Sequence, residues 1–170
     1  MSQILMVMGL PGSGKSYFAK KLAHAIHAKY TGSDELRKKM GLMGHYDLKS
    51  KQQVYQAMIN KAEKEILNQR NVVLDATFFL KNTRKLVEEL GEKYRVDVVP
   101  ILVEAEEKII GERLSKPRKD SEADFQVYRQ IKEAFEPLEG PYLTLVSTNE
   151  NIEEILEKTL HHLKSRHGKN

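Results

Sequence analysis

The residues Gly9-Leu10-Pro11-Gly12-Ser13-Gly14-Lys15-Ser16 match the spacing G-x-x-x-x-G-K-[ST] at every fixed position. Residue types in this order can hold a phosphate chain. Successive backbone N–H groups of such a turn converge on an anion, and the helix that follows adds the positive end of its dipole. Gly12 and Gly14 let a phosphate approach where a Cβ would obstruct it. Lys15 is expected to reach the β- and γ-phosphates, and Ser16 to offer its hydroxyl to Mg²⁺. Gly9, Pro11, Ser13 and Tyr17 complete the stretch expected to touch the nucleotide. Two elements must position this turn, and both are legible. The apolar run Ile4–Met8 before it reads as a buried strand, and Ser16–Ile26 after it has helical spacing. A nucleoside triphosphate is the expected ligand. No N-K-x-D guanine-reading motif accompanies the turn, since Asn60-Lys61-Ala62-Glu63 fails at its last position. The chain also lacks a transporter-type signature and the length of a ring-forming motor.

Further candidates fall after other apolar runs. Val72-Val73-Leu74-Asp75-Ala76-Thr77 is an apolar strand ending in a carboxylate, the placement of an aspartate that holds Mg²⁺ directly or through water. If that strand lies beside the first, Asp75 comes next to Ser16; the alternative is a turn residue at a strand end. In Ser33-Asp34-Glu35-Leu36-Arg37, Asp34 and Arg37 are three apart at a helix start and share a face. One reading makes Asp34 a general base for an attacking hydroxyl and Arg37 a contact to an anionic part of the acceptor. The other has Ser33 capping the helix while Asp34 and Glu35 complement its dipole. Spacing does not separate the two. Arg113, Lys116, Arg118 and Lys119 surround Pro117. This basic segment could close over the triphosphate, with Arg113 and then Arg118 as the foremost contacts, or it could be a solvated loop. His45 and Tyr46 could line an acceptor pocket or lie on a surface loop.

Strands are expected at Ile4–Met8, Ala28–Thr31, Val72–Asp75, Val96–Val103 and Tyr142–Val146, rich in Val, Ile and Leu as strands buried on both faces are. Helices are expected between them. One begins at Ser50, with Gln53 completing a capping box and Val54, Met58, Ala62 and Ile66 along one face. Others run Asn82–Tyr94, Ala105–Leu114, Ala123–Phe135 (with Ser121 and Asp124 as its cap signature) and Ile152–Leu163, followed by a solvated basic tail. Alternating strands and helices predict an α/β fold, a parallel five-stranded sheet with helices on both faces. With the phosphate turn after the first strand, this is a P-loop NTPase kinase-type three-layer sandwich, a single domain over 1–170 with a small helical lid at about 114–123.

The 170 residues carry a formal charge of +4, too small an excess to do more than permit a polyanionic substrate. There is no cysteine, which excludes disulfides and thiolate metal sites and fits a cytoplasmic protein. No apolar run approaches the roughly 20 residues of a membrane helix. Clustered aromatics in a basic stripe, the usual platform for single strands, are not seen.

GLPGSGKS, SDELR, VVLDATF, ERL..PR and SEADFQVYRQIKEAFEP mark a match that extends over nearly the whole chain. In them the sequence resembles a family of small P-loop phosphotransferases. That family includes the kinase domain of polynucleotide 5′-hydroxyl kinases, many predicted kinases, and zeta-toxin-like and gluconate-kinase-like enzymes. The resemblance implies an ATP- and Mg²⁺-dependent kinase. Asp34 would be its general base and Arg37 would contact the acceptor. Arg113 would touch the donor phosphates. The last segment stands closer to uncharacterised bacterial kinases than to the polynucleotide branch, so the reaction is better supported than the acceptor. A nucleic-acid 5′-hydroxyl, a small-molecule hydroxyl (sugar, nucleoside or antibiotic) and a non-catalytic ATP-binding regulator all stand at this point.

Overall fold

The apolar runs pair side by side in a computed structural model that describes residues 1–117 and 123–168. Five parallel strands, β1 (Gln3–Met8), β2 (Lys29–Gly32), β3 (Val72–Asp75), β4 (Asp97–Glu104) and β5 (Leu143–Val146), form one sheet in the order β2-β3-β1-β4-β5. Every residue of β1 and β3 is buried, as expected of central strands covered on both faces. Pairing of β3 with β1 sets Val7 opposite Asp75, and pairing with β2 sets Gly32 opposite Asp75 on the other side.

Helices cover both faces, giving a three-layer α/β sandwich. On one face α1 (Lys15–Ala25) and α7 (Ile152–His167) bury Phe18, Leu22, Ile155 and Leu163 against Leu5, Val7, Val73 and Ile101. On the other, α2 (Ser33–Lys39), α3 (Leu48–Leu67) and α4 (Lys81–Tyr94) bury Leu36, Val54, Met58, Val87 and Leu90 against Met6, Met8 and Leu74. A third cluster joins α5 (Glu107–Leu114) to α6 (Phe125–Ala134) through Ile110, Leu114 and Tyr128, with Leu10 of the phosphate turn against it. No helix among the described residues is long and apolar enough to cross a membrane.

Three helix ends depart from the sequence expectation. The helix expected from Ser50 starts at Leu48, because Asp47 is the better cap: its carboxylate accepts the Ser50 N–H at 3.1 Å and the Ser50 hydroxyl at 2.7 Å. Those bonds hold the Asp47 carboxyl below the usual aspartate range. α6 is capped by Asp124 itself, which accepts the Val127 N–H at 2.9 Å; the expected partner Ser121 lies outside the described residues. The basic tail is helical, with Lys164 and His167 exposed to solvent as expected. It continues α7 to His167, with Leu163 buried and Arg166 donating to both carboxylate oxygens of Asp97, at 2.7 and 3.1 Å. Basic side chains in the last turn also suit the negative end of the helix.

The segment after β3 is held by a buried arginine. Phe78 takes a left-handed backbone (φ 48), costly for a bulky residue. Its N–H donates to the Tyr55 hydroxyl, and its carbonyl accepts Arg84 Nη1 at 2.7 Å. Arg84 Nη2 donates to the carbonyls of Glu136 and Pro137. Replacing Arg84 with alanine leaves three carbonyls without their charged donor. We expect a loss of about 3 kcal/mol of stability, read as a lower urea midpoint at unchanged slope.

Candidate active site

The phosphate turn is built from both of its neighbours. Residues 9–14 leave the central strand β1 and enter α1 at Gly14, the N-cap, with φ 88. A Cβ on Gly14 would lie 2.9 Å from the Ser147 hydroxyl and 3.0 Å from an Arg113 nitrogen, so glycine is needed for space as well as conformation. Among the described residues no side chain caps α1, and no acidic residue occupies its first turn. The N–H groups opening α1, where Lys15, Ser16 and Tyr17 stand, are therefore left for an external anion.

Asp75 ends β3 on the face that α1 covers. Its Oδ2 accepts the Tyr30 hydroxyl at 2.6 Å, while Oδ1 is buried and has no partner. The residue is 3% exposed. A buried carboxylate oxygen without a donor calls for a cation or a proton. Ser16 and Asp75 line the same cavity, so the pair suits Mg²⁺, which takes one or two protein oxygens and completes its shell with phosphate and water. No group of three or more His, Cys, Asp or Glu side chains among the described residues could form an all-protein cage.

That cavity has a volume of about 630 Å³. It brings together Pro11, Lys15, Ser16 and Asp75 with Asp34 and Arg37 of α2, residues from three separate parts of the sequence. Arg37 is 7% exposed. Its Nη1 lies 3.5 Å from an Asp34 oxygen, its guanidinium sits 4.8 Å from the Tyr46 ring, and its Nε has no partner. Gly32 caps α2 through its backbone, so the Ser33 side-chain cap is not formed and Ser33 is the first helical residue. Tyr46 lines the cavity; His45 does not. Lys51, Phe79 and the α6 residues Val127, Gln130, Ile131 and Ala134 form the far walls.

Other expected residues stand elsewhere. Arg113 does not line the cavity. Its Nη1 donates to the Gly12 carbonyl and the Ser147 hydroxyl, both at 3.1 Å, and its Nε to Asn149. Ser147 in turn donates to the Ser13 carbonyl. Arg113 therefore ties the phosphate turn to the loop after β5. The Tyr17 ring is exposed beside Lys21. Arg118 and half of the expected lid lie outside the described residues. Sequence reasoning missed Ser147, Asn149, Tyr30 and the α6 wall. The signal for the first two was their place just beyond the carboxyl end of β5, where open α/β sheets bind ligands.

Strand order and phosphate turn define a P-loop nucleotide-binding domain of the kinase type. The family model of AAA_33, an AAA domain, matches residues 4–138, and the chain belongs to that family. No curated protein matches the sequence. Similar solved structures include a sugar kinase from Janibacter sp. HTCC2649, at 16% identity and TM-score 0.74, covering 96% of this chain and 95% of that one. The Mycobacterium tuberculosis APS kinase CysC in complex with AMPPNP and APS gives 16% identity and TM-score 0.73 over 96% and 98%. A gluconokinase from Sinorhizobium meliloti 1021 gives 18% and 0.72 over 96% and 92%. At these identities the likeness is one of fold.

Proposed function

We propose that this protein is an ATP- and Mg²⁺-dependent phosphotransferase that moves the γ-phosphoryl group to a hydroxyl of a small-molecule acceptor. The observation that carries this reading is the single cavity joining the phosphate turn and Asp75 to Asp34 and Arg37. Lys15 and the amides opening α1 hold the β- and γ-phosphates. Ser16 and Asp75 would hold Mg²⁺, which when bound neutralises charge on those phosphates. Asp34 accepts the acceptor's hydroxyl proton as the new O–P bond forms and the bond to the β-phosphate oxygen breaks, releasing ADP. Arg37 and Lys51 face the acceptor. Arg113 ties the turn to the loop after β5.

The walls favour a small acceptor over a polynucleotide. The α6 side chains that face the cavity are Val127, Gln130, Ile131 and Ala134, none of them cationic, so that wall offers no track for a phosphodiester backbone. Neighbours named as sugar kinase, APS kinase and gluconokinase agree with this reading.

Acceptor-stimulated ADP release tests it, with γ-labelled ATP and a panel of gluconate, hexoses, nucleosides and a 5′-hydroxyl oligonucleotide. We expect label in at least one small-molecule class. Label in the oligonucleotide alone would transfer the assignment to 5′-hydroxyl ends. ATP binding with no stimulated release by any acceptor would favour the regulatory module instead.

A further inference from the structure

A carboxylate that serves a metal must be aimed as well as placed, and in this protein one side chain aims it. Tyr30 stands two residues before the end of β2, and Asp75 ends β3. Their register puts Gly32 opposite Asp75 and Tyr30 opposite Val73, so all four residues share one face of the sheet. To reach Asp75 the tyrosine ring must lie along its own strand, over Gly32. It does so: a Cβ on Gly32 would overlap the Tyr30 hydroxyl and come within 2.9 Å of Cζ. Gly32 has an ordinary extended backbone (φ −106), so glycine serves there to clear space for the ring. Lys20 holds the ring from outside, its Nζ 5.4 Å from the ring centre and 2.9 Å from the Glu35 carboxylate.

We propose that Tyr30 is the positioning residue for the magnesium-binding carboxylate: its hydroxyl occupies Oδ2 of Asp75 and presents the partnerless Oδ1 to the metal. The assignment rests on the proposed role of Asp75. With one oxygen tied at 2.6 Å, the carboxylate loses the freedom to rotate and turn either oxygen toward the phosphates. The hydrogen bond also leaves Oδ1 as the one oxygen with no protein partner. A tyrosine present only to fill space would use its ring alone.

The test is calorimetric titration of ADP into the whole protein, in EDTA and across a series of Mg²⁺ concentrations. Removal of an outer-shell partner of a metal ligand typically weakens metal binding by about 10- to 100-fold. Tyr30→Phe keeps the ring, and we expect it to raise the half-saturating Mg²⁺ concentration at least about tenfold while ADP affinity in EDTA stays unchanged. Gly32→Ala, which keeps the tyrosine but displaces its hydroxyl, should move the Mg²⁺ dependence the same way. In an Asp75→Asn background Tyr30→Phe should add no further change. An unchanged Mg²⁺ dependence in Tyr30→Phe, or an equal loss with and without Mg²⁺, overturns the assignment and leaves Asp75 as a metal ligand. If Asp75→Asn alone leaves the Mg²⁺ dependence intact, the metal role of Asp75 falls as well.

Discussion

Lys15→Ala should nearly abolish phosphoryl transfer while leaving the fold intact. The ammonium enters the cavity from the first residue of α1. It has no ion-pair partner among the described residues, so its removal opens no hole in the core and strands no buried carboxylate. In the proposed reaction it would face charge on the β- and γ-phosphates, and that charge shifts as the bond between them breaks. Removing one preorganised donor from such a site costs about 10²- to 10³-fold in turnover. A full positive charge aimed at a triphosphate belongs at the upper end, so we expect a loss in kcat of about a thousandfold. Ground-state binding should fall less. A charge-assisted contact is worth about 1.5–3 kcal/mol, which weakens ATP about 10- to 100-fold. Parallel measurement of ADP release at saturating ATP and of ATP affinity separates the two effects. A variant with near-normal turnover would remove Lys15 from the transfer step, and the cavity would need another cation for it.

What could be read in the sequence was what local spacing encodes. The five strands were legible because strands buried on both faces must be apolar throughout, and the phosphate turn because its chemistry demands fixed glycines and a lysine. Asp75 was legible for a related reason: a carboxylate closing the run Val72-Val73-Leu74 has few structural excuses. Asp34 and Arg37 could be named but not assigned, since a helix start uses the same residue types. The structure adds that both line one cavity with Lys15 and Ser16, and that Arg37 Nε is buried without a partner. Tyr30 was invisible because its contact depends on strand register, which puts its ring over Gly32 only once β2 and β3 are paired. Ser147 and Asn149 belong to a short polar loop with no spacing rule, and they matter because β5 delivers them to the back of the turn. The α7 tail is exposed, as its run of basic residues suggests, but its helical continuation and the Arg166 contact were hidden, because Asp97 comes from a distant strand.

Asp34→Asn decides whether α2 carries the base or a well-placed helix start. The two readings diverge in what they ask of the carboxylate. As a dipole complement, Asp34 contributes at most about 1 kcal/mol to stability, and its neutral isostere should turn over normally. As the base it must accept a proton, which an amide cannot do. General-base catalysis contributes about 10²- to 10⁴-fold, and kcat should fall by that amount with ATP affinity unchanged, because the phosphate turn is untouched. The environment supports the second outcome. The Asp34 side chain is 40% exposed, in reach of a bound acceptor, and it lies 3.5 Å from an Arg37 nitrogen at the edge of the same cavity. On the proposed reading, the arginine would draw an anionic part of the acceptor toward the carboxylate that takes its proton. Pre-steady-state measurement of the ADP burst distinguishes a slowed chemical step from slowed product release, since only loss of the base removes the burst. A variant that keeps both burst and kcat would return Asp34 to the helix dipole and send the search for a base to Glu35, the next carboxylate lining the cavity.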